Sequence, residues 1–207
     1  MKQKSSLYLP NRIVRITLLT LQDMMGENGL NTVFKRGNLD DLAHRLPPDD
    51  MERQFDFADY AALAAAVEDI YGPRGAKVLL ARAGRKAFAN GISGFTERLG
   101  VASLALKAVP LQLKLGRFLK NIAKTYSESS DRKCDLQEEN YYYIFINRTC
   151  PVCWGRRLSK PGCFITLGFL QEATHWISNG SEFEVRQVAC IACGDPSCDF
   201  KISKTPS

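Results

Sequence analysis

The chain has 207 residues, 45% of them apolar and 24% charged, which is enough to bury a core without disulfide staples. Its net charge of +6 arises from 28 basic residues interspersed with 22 acidic ones, so a dedicated nucleic-acid surface is not expected. No stretch approaches the roughly 20 uninterrupted apolar residues of a membrane-spanning helix, which excludes a helical membrane span.

The first residues, Met1 to Ser6, are basic, but the apolar run after them is broken by Pro10, Asn11, Arg12 and Arg15. A secretory leader is therefore not expected, and the predicted setting is cytoplasmic and reducing. From Pro10 to Met25, Ile13, Ile16, Leu19 and Leu21 recur at helical spacing, and Gly26 acts as a stop. Residues from Gly29 to Arg36 predict a second short helix, followed by a polar loop through Pro47 and Asp50. The alanine-rich run Phe57–Tyr71 predicts a helix ended by Gly72-Pro73. Arg74–Asn90 repeats the pattern, so the pair is expected to form a helical hairpin. Between Leu99 and Tyr126 a basic amphipathic stretch is interrupted by Pro110, with Leu115, Phe118, Leu119 and Ile122 forming an apolar stripe for the core.

The polar run from Ser127 to Lys133 reads as a linker, and the pattern changes after it. Tyr141–Asn147 is β-prone, Phe164–Ile177 reads as a helix, and Glu182–Cys190 and Cys198–Ser203 read as strands around a turn at Gly194-Asp195-Pro196. The fold class expected is α+β: a mainly helical part over residues 1–126 packed on a small antiparallel sheet, with a cysteine-rich α/β part over 138–203. Together they make one domain over 1–207.

Six of the seven cysteines fall between Cys150 and Cys198. Cys150 and Cys153 form one Cys-x-x-Cys pair, Cys190 and Cys193 another, and Cys163 and Cys198 stand alone. Two thiolates spaced two residues apart can hold one metal ion from a turn, and two such pairs complete a tetrahedral shell of the kind zinc prefers. An iron–sulfur cluster also takes thiolates, and a thiol-lined core needs no metal at all, so all three readings stay open on spacing alone. His175 beside Trp176 offers a further ligand or proton carrier, although a packing role is the commoner one for such a residue. His44 suggests no role, and Trp154 is placed to cover the cysteine turn. Neither a phosphate-binding glycine loop nor a nucleophile motif is present. The aromatic residues of the helical half, among them Tyr60, Phe88 and Phe118, suffice to line an apolar pocket.

Cys150-Pro-Val-Cys-Trp-Gly-Arg-Arg, Gly168-Phe-Leu-Gln-Glu and Val188-Ala-Cys-Ile-Ala-Cys-Gly-Asp-Pro-Ser-Cys-Asp-Phe resemble the 4-vinyl reductase domain family over about the last third of the chain. The resemblance implies a small-molecule-binding domain, similar to the effector-binding part of phenol-sensing regulators, with zinc held by three cysteines and a glutamate. By position Cys163, Cys190 and Cys198 match those cysteines, whereas Gln187 stands where the relatives carry the acid. Cys193 or the Cys150/Cys153 pair is then left to complete the shell. Strand alternation puts Glu184, rather than Gln187, on the face of Cys190 unless a bulge intervenes.

The expected function is binding of a small hydrophobic or aromatic molecule by a sensor or carrier, a homodimer with a structural zinc site and no catalytic residues. One alternative is an accessory protein or reductase of tetrapyrrole metabolism using an iron–sulfur cluster or thiols. Another is a dimeric protein-binding adaptor.

Overall fold

A computed structural model of the chain describes residues 3–95 and 110–207. β1 (Tyr8–Pro10) leads into α1 (Asn11–Arg36), a short α2 (Asp41–His44) follows, and β2 (Arg53–Asp56) returns antiparallel to β1 before α3 (Phe57–Phe95). Beyond residue 110 come α4 (Leu111–Ser129), the hairpin β3 (Cys134–Glu138) and β4 (Tyr142–Asn147), α5 (Phe164–Ile177), β5 (Phe183–Ala189) and β6 (Cys198–Pro206). The last four strands form one sheet in the order β3-β4-β6-β5, with every neighbouring pair antiparallel. The class is α+β, as the sequence predicts.

The glycines at 26 and 72 divide α1 and α3, respectively, into two helical segments each, as the stops read from the sequence predict. Both have positive φ (74° and 68°) with ψ near 170°, a region essentially closed to any residue with a Cβ. The helix expected from Gly29 follows the first directly across the break at Gly26, and the two helices expected over 57–71 and 74–90 lie in the segments of α3 on either side of Gly72. Of the stretch predicted from Leu99, the part up to Val109 lies outside the described residues. Its remainder is α4, whose Leu115, Phe118, Leu119 and Ile122 are buried while Arg117, Lys120 and Lys124 face solvent.

Two further glycines set the packing. A Cβ on Gly84 would stand 2.0 Å from the Ile165 carbonyl oxygen, and one on Gly168 would stand 1.9 Å from that of Ala81. The backbones of α3 and α5 thus touch where they cross, and this contact brings Phe88 and Phe169 to a ring separation of 5.1 Å, edge to face. One apolar core continues from the helices, through Leu18, Leu63 and Leu80, into the inner face of the sheet at Phe145, Phe200 and Ile202. Among the described residues no helix is long and apolar enough to cross a membrane.

Candidate functional site

The helices leave a cleft between them that opens to solvent. α1 contributes Ile13, Ile16 and Thr17; α3 contributes Tyr60, Ala87 and Phe88; α4 contributes Ile122, Thr125 and Tyr126; and α5 contributes Ile165, Thr166 and Phe169. The helical periods put these residues on inward faces, so most of the lining is apolar. Phe88 anchors the wall by edge-on contacts with Phe118, Phe169 and Trp176, at ring separations of 6.3, 5.1 and 6.2 Å.

One end of the cleft is polar. The segment after α4, expected to be a solvated linker, turns inward instead and puts Ser130 and Arg132 into the lining. Three local interactions force the turn. Ser130 donates from its hydroxyl to the Tyr126 carbonyl at 2.6 Å, Asp131 accepts the Tyr8 amide at 2.7 Å, and the Cys134 amide donates to the Ser127 hydroxyl at 2.9 Å. Arg132 is only 8% exposed, its guanidinium carbon lies 4.4 Å from the centre of the Tyr126 ring, and its Nε has no hydrogen-bond partner. Burial pushes the Tyr60 and Tyr126 phenols up, more than the nearby Arg132 charge draws them down, and so keeps both neutral at ordinary pH.

The cysteines make a second constellation in the same core. Cys150 and Cys153 sit in the turn after β4, closed by the Cys153 amide donating to the Cys150 carbonyl at 3.2 Å. Cys163 immediately precedes α5, Cys190 follows β5, and Cys198 opens β6 opposite Asn147. The Cys153 sulfur lies 3.2 Å from that of Cys163, 3.4 Å from Cys198 and 3.5 Å from Cys190; Cys163 lies 3.6 Å from Cys150 and 3.5 Å from Cys198. Cys150, Cys153, Cys163 and Cys198 are all buried, with their sulfurs within 4.8 Å of one another. The group shares its protons: Cys150 is held low by its hydrogen bonds, first with Cys153, and Cys163 is pushed up by the bonds it gives, first to Cys150.

Of the six cysteines singled out from sequence, five converge here and Cys193 does not, being exposed on the turn after Cys190. Glu184 is no ligand candidate, since it lies half exposed and pairs with Arg186 at 2.9 Å. The register of β5 against β6 shifts between Gln187 and Ala189, and this bulge turns Gln187 back toward the cysteines. There it accepts the Cys163 amide at 2.9 Å and donates to the Ala189 carbonyl at 3.0 Å. Strand alternation misplaces both residues for that reason. His175 at the end of α5 stands 3.3 Å from Glu182, and neither it, His44 nor Trp154 lines the cleft. Sequence reasoning missed Ser130 and Arg132; the one available signal was an arginine inside an otherwise turn-forming polar run.

No family model and no curated protein matches the chain. Solved structures of H-NOX domains do. A double variant of Tt H-NOX is 14% identical with a TM-score of 0.61, covering 96% of each chain. The Fe(II) unliganded H-NOX protein from K. algicida is 12% identical with a TM-score of 0.60, covering 96% of this chain and 98% of its own. An H-NOX protein from S. oneidensis, in its Fe(II)NO ligation state, is 14% identical with a TM-score of 0.57, covering 91% and 97%. At such identity the likeness is one of fold, and it extends over nearly the whole chain.

Two expectations are corrected by this finding. The resemblance to the 4-vinyl reductase family is not supported, because the matching structures described here are H-NOX domains and none belongs to that family. It rested on cysteine spacing in turns, a local solution that unrelated sequences share. Zinc, or an iron–sulfur cluster, as the cofactor is likewise withdrawn: the related structures concern heme and its iron.

Proposed function

We propose that the chain is a small-molecule-binding sensory domain on an H-NOX-like fold, with the cleft between α1, α3, α4 and α5 as its receptor site. The observation that supports this is an apolar cleft with a single polar end, the usual composition of a site that takes one small molecule in one orientation.

Heme, which the related structures concern, is not matched by the described residues of this cleft. Iron in a heme needs a protein ligand, supplied by His, Cys, Met or an ionised Tyr. Among the described residues none that lines the cleft is His, Cys or Met, and the two tyrosines are held neutral by burial. Residues 92–109, outside this description of the cleft, contain none of the four residue types.

Binding is tested by titrating the delipidated protein with an apolar fluorescent probe and repeating with Ala87→Phe, which fills the cleft from α3. Saturable binding at one site per chain that the variant abolishes supports the reading. Binding that the variant leaves unchanged overturns it.

We propose, for the second constellation, that Cys150, Cys153, Cys163 and Cys198 ligate one soft metal ion, with Cys190 at the edge of the group and Cys193 outside it. Their four sulfurs are buried and lie within 4.8 Å of one another, close enough for one ion to reach all of them. Elemental analysis is expected to give one metal per chain, lost on Cys163→Ser. Metal-free protein with unchanged stability overturns this assignment.

A further inference from the structure

We infer that Arg132 is the counter-cation of the cysteine metal site, its guanidinium balancing the thiolate of Cys150 beside the strap that Thr149 makes to Asp131 and Lys133. This rests on the four cysteines holding a metal ion, and it assigns the charge that such a site needs in a buried setting. Four thiolates outnumber the charge of a divalent ion, so the occupied group is anionic, and a buried anion is costly unless a cation compensates it. Cys150, Cys153, Cys163 and Cys198 are all buried. Arg132 presents the converse problem: it is buried, no acidic side chain pairs with it among the described residues, and its Nε has no partner.

The path of the chain brings the two together. The Thr149 hydroxyl donates to the Asp131 carbonyl at 2.9 Å and accepts the Lys133 amide at 2.7 Å, so the residue before Cys150 lies against the backbone on either side of Arg132. The groups whose charge reaches Arg132 are Tyr126, Cys134, Tyr60 and Cys150. Burial keeps both phenols protonated and pushes the Cys134 thiol up to about 12, which leaves Cys150, once it ligates a metal, as the anion of the set. The sulfurs also differ in what else serves them. Cys198 accepts the Ile191 amide at 3.3 Å, whereas among the described residues no N–H group bonds to the Cys150 sulfur. Arg156, in the same turn as Cys150 and Cys153, is held by Glu68 at 2.5 Å and does not fill the part. Arg132 also lines the cleft, so the metal site and the polar end of the cleft share one cation.

The experiment titrates the full chain with cadmium(II) against a competing chelator and follows the thiolate-to-cadmium absorption in the ultraviolet. R132Q, which keeps a planar polar end without the charge, is expected to bind cadmium about tenfold more weakly, the scale of one charge pair in a partly screened interior. R132K keeps the charge and loses the planar contact with Tyr126, and it is expected to stay within about threefold of the natural chain. Cadmium affinity unchanged in R132Q, or lost as much in R132K as in R132Q, overturns the inference and leaves the metal site itself standing. Should R132Q fail to fold, nitrogen-15 NMR of the natural chain decides. The assigned Arg132 Nε–H signal is expected to shift as cadmium is added and to stop at one equivalent per chain; a signal that cadmium uptake leaves unmoved overturns the inference. If the natural chain takes up no cadmium, the metal assignment falls and this inference falls with it.

Discussion

The hydroxyl of Thr149 donates to the carbonyl of Asp131 at 2.9 Å and accepts the amide of Lys133 at 2.7 Å, so one side chain straps the backbone on both sides of Arg132. Thr149 immediately precedes Cys150, and the neighbouring Arg148 amide donates to the Lys133 carbonyl at 2.8 Å. At the other end of the cysteine group, Cys163 leads directly into the turn of α5 that supplies Ile165, Thr166 and Phe169. The segments that carry Cys150 and Cys163 therefore adjoin the polar end and one apolar wall of the cleft.

Thr149→Val keeps the shape of the side chain and removes the strap. Two backbone groups lose their partner, for which a destabilisation of about 1–3 kcal/mol is expected. Because the lost bonds flank Arg132 at the polar end of the cleft, binding of the apolar probe should weaken as well. Urea unfolding and titration with the apolar probe check this; unchanged stability and binding would show that the strap does not hold the cleft.

The crossing of α3 and α5 is tested at Gly168. The added Cβ of Gly168→Ala would lie 1.9 Å from a backbone oxygen that cannot swing aside, so the helices must separate. A loss of about 3 kcal/mol is expected, at the upper end of overpacking effects. Gly72→Ala meets no atom within 4 Å, and its expected loss of about 1–3 kcal/mol comes from backbone conformation alone. The two variants separate on ligand binding: Gly168→Ala displaces Phe169 and weakens it, whereas Gly72→Ala, remote from the lining, leaves it unchanged.

Much of the framework is legible in the sequence because it follows from local rules. Phe164–Ile177 is a helix as its apolar spacing predicts, and β4 appears where Tyr142 to Asn147 are β-prone. The convergence of five cysteines is likewise foreshadowed by their density. Three features escape sequence reasoning, each through a tertiary cause. The run from Ser127 to Lys133 is polar, yet hydrogen bonds to Tyr8, Tyr126 and Thr149 draw it inward and bury Arg132. A bulge reverses the facing of Gln187, which no alternation rule foresees. The burial of Arg132 with an unpartnered Nε is visible only once its neighbours are in place.

The cysteines differ in what their removal should do. Cys163 is wholly buried at the centre of the group and Cys193 is exposed. Cys163→Ala is expected to destabilise by about 2 kcal/mol or more by leaving a cavity and uncoupling α5 from the turn at Cys150. Cys193→Ala should stay within about 0.5 kcal/mol of the natural chain. Chemical denaturation of both variants checks the contrast, and similar losses for the two would sink the assignment of Cys193 to the periphery.

Asp56 provides a pH-dependent brace at the start of α3. It is buried, and its carboxylate accepts the Ser5 hydroxyl at 2.7 Å, the Ser5 amide at 3.1 Å and the Ala58 amide at 2.7 Å. Burial pushes this carboxyl up, but the hydrogen bonds from Ser5 and Ala58 outweigh it and hold the group below its ordinary value. A carboxyl depressed by folding stabilises the native chain above its unfolded pKa of about 3.9, and that stability is lost as the pH falls toward the lower native value. Asp56→Asn removes the charge from these bonds and is expected to destabilise at neutral pH by about 1.5–3 kcal/mol. Unfolding free energies measured from pH 7 down to pH 3 should show the gap between the two proteins narrowing below about pH 4. A gap that stays constant over this range would assign the loss to packing rather than to the ionised carboxylate.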